Sequence, residues 1–309
     1  MLAHPESEAV SKNACMAISN LASDNEINVK KAVEWGALPG IVAILNTHKN
    51  EQIVCLEGIA ALSCLLYKDH AYSKQASEAV VAVMSLHRDD PQLVSACCGV
   101  IDSLAVAAVP GSVEELVAAM KACSLYQSAV KNCAKALVTL TTNKPDCIIR
   151  AARAGVSEVA VSAAKHAASP EVLELCLCIL SSVCIFEAES ARAAGAAAAA
   201  VAAIRSRFTC EGVACAALEV IDYVLVPGVY DSDAVEVSIS TLRNHQDSSS
   251  AVFRACTLLA NLARNNSENV KKAKECGVEA LLAASIQTHK DDEVVVSEAR
   301  SVCEKMAVA

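Results

Sequence analysis

The sequence predicts an all-α solenoid built from repeated helical units, and three observations carry the prediction. The first is internal repetition. Ala14–Ala22, ACMAISNLA, returns as Ala255–Ala263, ACTLLANLA, and a shift of 241 residues pairs 14–54 with 255–295 without a gap, at 18 identities in 41 positions. That shift is about six units of about 40 residues, a period that belongs to repeated helices. The second is composition: 54% hydrophobic but 3% aromatic, which favours closely packed helices over sheets of aromatic and β-branched strands. The third is length. At 309 residues a single core is near its size limit, whereas an array whose units touch only their neighbours has no such limit.

The last large apolar residue of the repeated stretch, Leu21, serves as a ruler. It recurs as Leu65, Leu104, Leu140, Val183, Val224, Leu262 and Met306. Three residues before these anchors stand Ile18, Leu62, Ile101, Leu137, Leu180, Ile221, Leu259 and Cys303; seven before stand Ala14, Gly58, Cys97, Cys133, Cys176, Ala217, Ala255 and Ala299. Offsets of 3 and 7 share one face of a helix, so eight units end in one long helix, with a small-residue column where a neighbour approaches. Fourteen residues before the anchor, Ser7, Glu51, Asp90, Ser169, Ser248 and Asp292 mark its start, most of them good N-caps. Pro91 and Pro170 follow at the first helical position, where the missing N–H costs nothing. Gly36, Gly111, Gly195 and Gly277, with Gly155 one place late, read as turns between a short first helix and a second.

In the first full unit this gives helices Val29–Trp35, near Pro39–Asn46 and near Glu51–Leu66, with a turn at Gly36. The units ending at Leu104, Leu140 and Leu262 are shorter. The last has Val226-Pro227-Gly228-Val229 where a first helix would begin, which predicts two helices there. The whole chain, 1–309, is read as one repeat domain: a partial repeat 1–24, then repeats near 25–68, 69–107, 108–144, 145–186, 187–227, 228–265 and 266–309.

A net charge of -9 argues against a nucleic-acid binder held by phosphate contacts. The longest apolar run, Ala193–Ile204, is 12 residues between two arginines, too short to span a bilayer, so no membrane insertion is expected. Most of the 16 cysteines fall inside apolar helical patterns, where a free thiol packs as a small hydrophobe. With no signal peptide at the start, a reducing cytosol or nucleus is the expected location.

Asn28–Leu45, NVKKAVEWGALPGIVAIL, followed by a capped helix ending ALSCLL, resembles an armadillo repeat. The shared features are the Gly-Ala-Leu-Pro turn and the long third helix ending in Asn-Leu-Ala, at Asn20-Leu21-Ala22 and Asn261-Leu262-Ala263. The histidine before the capped helix is similar to the armadillo-repeat-containing protein six type. The resemblance implies a right-handed α-α superhelix, armadillo- or HEAT-like, of about seven repeats plus the N-terminal partial one. Its third helices line a concave groove for an extended segment of another protein or peptide. In the nuclear-import adaptors of that family, an Asn before the anchor and a Trp four residues earlier form a peptide-binding ladder. Here only Asn20 and Asn261 occupy the Asn column, no Trp occupies the other, and Trp35 falls in a turn, so import-adaptor function is disfavoured. The groove positions best suited to backbone and charged contacts are Asn20, Lys131, Lys135, Tyr223, Arg254 and Asn261.

His4, His48, His87, His166, His245 and His289 all lie 17 residues before an anchor, with Cys123 and Arg207 in the two remaining places. Such a ladder invites a metal. However, repeats stack at roughly 8–10 Å while zinc ligands bond near 2 Å, so each imidazole is read as closing its own second helix at the free carbonyls. Cys97-Cys98 and Cys176-x-Cys178 lack metal spacing, and Lys30-Lys31 with Lys271-Lys272 read as solvated faces. No phosphate loop, nucleophile elbow or His-Glu-x-x-His helix is present. The sequence thus predicts a non-catalytic binding scaffold or adaptor, with no cofactor, metal or catalytic residue; a co-chaperone or assembly factor is the alternative. The opening inside a third helix, and an end without a polar cap, lead to the expectation of missing flanking repeats or end-to-end self-association. Ala193–Ile204 has few large side chains to fill space, so hydrogen exchange there should be the fastest of the repeats; exchange as slow as that of Val252–Leu262 would contradict this reading.

Overall fold

The computed structural model describes residues 6–66, 72–104, 109–207, 209–226, 228–264 and 266–308, and every regular element among them is an α-helix. The chain divides into two compact units, 1–155 and 156–309. The first holds α1 (Glu8–Ala22), α2 (Glu26–Glu34), α3 (Ala37–Thr47), α4 (Gln52–Leu65), α5 (Ser73–Leu86), α6 (Pro91–Ser103), α7 (Ser112–Ala122), α8 (Gln127–Thr141) and α9 (Pro145–Arg153). The second holds α10 (Val156–Lys165), α11 (Pro170–Ala193), α12 (Ala196–Ser206), α13 (Glu211–Val224), α14 (Ser232–Asn244), α15 (Ser249–Ala263), α16 (Ser267–Glu275), α17 (Val278–Thr288) and α18 (Glu293–Val308).

The anchors end the long helices as the periodicity predicts. In the first unit α1 packs on α4, α4 on α6 and α6 on α8; in the second, α11 packs on α13, α13 on α15 and α15 on α18. Seven anchors, from Leu65 to Met306, are at most 4% exposed, and Leu21 alone stands at 63%. The small column works as a close-approach site: Cys133 Sγ lies 3.4 Å from Cys98 Sγ across α6 and α8. At Gly58 an added Cβ would sit 2.7 Å from Leu45 Cδ2.

Helix starts follow the caps. Ser7, Asp90, Ser169 and Ser248 each accept an N–H from the first turn of the helix they open, and Asp292 accepts two from Val294 and Val295. Glu51, Tyr126 and Cys210 occupy the same register place without a side-chain cap bond, so the place is set by the repeat and not only by the residue. In the first full unit the first helix begins at Glu26, three residues earlier than expected, because Asn25 caps it through the Asn28 N–H. Asn28 itself donates to the Leu21 carbonyl at 2.7 Å, and Asn269 repeats the bond to Leu262 at 2.9 Å. The five turn glycines all have positive φ, between 77° and 92°, a conformation that a Cβ disfavours.

The histidine column differs from expectation. The backbone N–H of His48, His87, His245 and His289 closes its own helix, on the carbonyls of Ile44, Val83, Thr241 and Ser285. Where the side-chain partner is seen, it lies in the preceding repeat. His87 Nε2 donates to the Lys49 carbonyl at 2.9 Å and His289 Nε2 to the Gln246 carbonyl at 2.7 Å. Cys123 Sγ donates to the Arg88 carbonyl at 3.1 Å and Arg207 Nη2 to the Ala168 carbonyl at 3.4 Å. His48 Nε2 meets Ser11 Oγ at 3.3 Å. A side chain from one turn therefore holds the carbonyl of the turn before it, and imidazole, thiol and guanidinium all serve. His245 Nε2 is buried without a partner among the described residues; His4 and His70 lie outside them.

Two further features differ in detail. α11 runs through Glu187, whose φ of -138° and ψ of 51° break it into a third helix and the first helix of the next repeat. Between α13 and α14 there is no first helix among the described residues, as the Val226–Val229 stretch implied, with Pro227 outside them; none stands between α4 and α5 or between α6 and α7 either, so Gly111 does not follow a described first helix as expected. The last repeat is more polar on its surface than the first full one. The buried positions Leu38, Ile59 and Leu62 of the first full repeat correspond, 241 residues on, to the exposed Glu279, Arg300 and Cys303.

Two glycine replacements separate the packing reading from simple propensity. Gly99, with nothing within 4 Å of an added Cβ, should gain about 0.5–1 kcal/mol as Ala, whereas Gly58→Ala should lose stability, because overpacking against buried Leu45 costs about 1–3 kcal/mol. Urea midpoints of the two variants should move in opposite directions. His289→Ala strands the Gln246 carbonyl and the Ser249 hydroxyl and should lower unfolding free energy by about 1–3 kcal/mol, read from the same denaturation curves.

Candidate functional site

The third helices bury one face against their neighbours and leave another to solvent. In the first unit that open face carries Asn20 on α1 and Lys131 and Lys135 on α8; in the second it carries Tyr223 on α13 and Arg254 and Asn261 on α15. The three residues of the second unit come together. The Arg254 guanidinium pairs with the Glu219 carboxylate across α15 and α13, and Asn261 Nδ2 donates to Asp222 Oδ1 at 2.7 Å. Tyr223 directly follows Asp222, one helical turn beyond Glu219, and is 41% exposed. Partial burial pushes its phenol above the ordinary value, with the negative charge of Glu219 adding to the effect, so the hydroxyl stays protonated and can donate. In the first unit Lys135 Nζ lies 3.1 Å from Asp102 Oδ2, and Thr139 Oγ1 donates to Asp102 Oδ1 at 2.6 Å. Asn20 is exposed on α1 and stands apart from these lysines, since α4 and α6 lie between α1 and α8 in the packing order.

The acids are the residues that sequence reasoning missed. Asp102 and Asp222 both stand two places before an anchor, and each is bonded by the residue one place before the next anchor, Thr139 or Asn261. Ser19 and Cys64 repeat the geometry at 3.7 Å. That register was available in the sequence, but only as a pairing between two columns and not within one. Its consequence is electrostatic: Lys135 and Arg254 are already neutralised by carboxylates of the preceding repeat, so they present as oriented donors more than as free cations.

Other candidates fall to packing. All 16 cysteines are free, and Cys303 alone is exposed. Burial pushes the Cys55, Cys176 and Cys256 thiols up to about 12, which removes the thiolate that reactivity needs. Among the described residues no three His, Cys, Asp or Glu side chains gather as metal ligands would, and no helix among them is long and apolar enough to cross a membrane. Lys272 pairs with Glu236 at 2.6 Å, and Arg150 with Glu114 at 2.5 Å; these ties run between first and second helices, away from the third-helix faces.

No protein-family profile matches the chain, and no curated protein does. Its fold is similar to that of a chain solved in a study of a conserved phosphorylation switch that controls the interaction between cadherin and β-catenin. The TM-score is 0.68 and the identity 14%, over 94% of this chain and 63% of the other. This chain therefore corresponds to less than two thirds of that one. An engineered protein aligns over 96% of this chain and 92% of its own at 20% identity, but with a TM-score of 0.31, too low to bear on the fold. The likeness and the all-helical architecture together show an armadillo-like α-solenoid fold.

Proposed function

We propose that the protein is a non-catalytic scaffold or adaptor that holds an extended segment of a partner protein along the open faces of its third helices. The observation that carries this reading is the organisation of the second unit's face. Arg254 and Asn261 are each fixed by an acid of the preceding third helix, α13, beside a half-exposed Tyr223. Asn261 uses one N–H on Asp222 and keeps the second for a backbone carbonyl, and the tyrosine supplies rigid apolar area with a polar tip. Fixing the donors before binding lowers the ordering cost that a flexible surface would meet on association. The cadherin–β-catenin structure, as a protein–protein interaction on a similar fold, supports the class of function and not the partner. The sixteen free thiols fit a reducing cytosol or nucleus.

The test is a panel of twelve-residue peptides selected from a displayed random library on the intact chain. Peptides so enriched should bind Tyr223→Ala and Asn261→Ala variants at least tenfold more weakly, about 1.4 kcal/mol each, by calorimetry. Enriched peptides that bind these variants and Lys131→Ala as tightly as the parent would place the site elsewhere.

A further inference from the structure

The repeat that ends at Leu262 lacks the first helix that its neighbours possess, and the place that helix would take can be located from the others. In the first unit α9 lies on α7, tied by Arg150 Nη2 to Glu114 Oε2 at 2.5 Å. In the second unit α16 lies on α14, tied by Lys272 Nζ to Glu236 Oε1 at 2.6 Å. A first helix thus seats on the second helix of the repeat before it. For the repeat ending at Leu262 that seat is α12, and no described first helix covers it.

A groove of about 710 Å³ remains there, between α12 and the start of α14. Its floor is Ala197, Ala198, Val201 and Ala202, and its rim is Arg205, Asp231 and Asp233. Ala198 and Ala202 are exposed, whereas Ala199, Ala200 and Ala203 on the other side of the same helix are buried. Register explains the floor. Glu114 and Glu236, the acids that hold α9 and α16, both stand 26 residues before an anchor, and the residue 26 before Val224 is Ala198. The methyl group there is too short to make the tie that Glu114 and Glu236 make. The segment that could have supplied a helix is bonded elsewhere. Asn266 and Asn269 donate to the Gly228 and Val229 carbonyls at 3.0 Å each, and the Asp231 N–H donates to Asn269 Oδ1 at 3.0 Å. It therefore stays at α16 and leaves Val229 and Tyr230 half exposed beside the groove.

We propose that this groove receives a short helix from a partner protein, seated as α9 and α16 seat on their own neighbours. Alanine flooring lets a helix axis come to the low end of the 8–10 Å packing range, and it offers no pocket for a large side chain. The occupant is then about two to three turns long, with small or aliphatic residues against α12. Charge sets its flank. Arg205 is engaged by both Asp233, at 2.7 Å, and Glu236, at 3.3 Å, which leaves the rim acidic. Residues 156–309 carry 13 Lys and Arg against 20 Asp and Glu, a net of 13 − 20 = -7 out of the chain's -9. A lysine or arginine near the end of the docked helix complements that rim.

The chain supplies its own probe. A helix-constrained, fluorescein-labelled peptide with the α9 sequence, alanine replacing its cysteine, presents Ile148, Ala151 and Ala152 on one face and Arg150 and Arg153 on its flank. Titrated with the full chain, it should give saturable anisotropy and protect 196–206 from hydrogen exchange. Binding should fall at least tenfold in Ala198→Arg and in Ala202→Arg, and should hold in Ala202→Ser and in Tyr223→Ala. The last variant removes a third-helix contact, so the outcome separates this groove from the surface of the proposed function. Absence of saturable binding, or binding that survives both arginine variants while their circular dichroism matches the parent, would overturn the proposal.

Discussion

A third helix of this chain carries apolar residues around more of its circumference than any single neighbour can cover. α8 buries Ala129, Val130, Cys133, Ala134, Ala136, Leu137 and Leu140, which face both the preceding third helix α6 and the second helix α7 of its own repeat. Such a helix alone in water would expose most of that surface, and roughly 25 cal/mol for each Å² withdrawn from water drives it between two others. Each third helix therefore needs the next. This constraint dictates the small column at Gly58, Cys97 and Cys133 and the constant fourteen-residue run from cap to anchor. It also confines variation to the segments between third helices, where the repeat can lose a first helix or fuse one on, as at Glu187.

The turns are stitched as firmly as the helices. Side chains at one register position reach the carbonyls of the previous turn, whether the residue is His87, Cys123, Arg207 or His289. A turn carbonyl at the edge of a packed helix needs a partner when it loses water, and the residue that leaves the second helix is well placed to supply it. Chemistry is subordinate to reach in this role, which is why a column that suggests metal ligation proves to be a set of inter-repeat hydrogen bonds.

Polar pairing on the third-helix faces follows the same rule of contact with the preceding repeat. Asp102 and Asp222 hold donors of the next helix, and Glu219 holds Arg254. These pairs fix the orientation of the groups offered to a partner, and they lower the net field of the face by neutralising its cations. The α12 groove is different in kind: it is apolar at its floor, acidic at its rim, and results from a missing helix instead of an exposed one.

Much of this was legible in the chain itself. The period, the anchors, the small column, the caps and the left-handed glycines are local or near-local properties, because a helix writes its buried face into the sequence every three or four residues. The two-helix repeat was legible too, from Pro227 and Gly228. What the sequence could not show is which column meets which across repeats. The imidazole of His87 and the carbonyl of Lys49 are 38 residues apart, and their meeting depends on how one repeat is rotated on another. The same packing decides that Asp222 reaches Asn261 and that Ala198 floors a groove where Glu236 holds a helix. Periodicity along one helix fixes what is buried, whereas partnership between helices is a property of their packing, and the packing decides it.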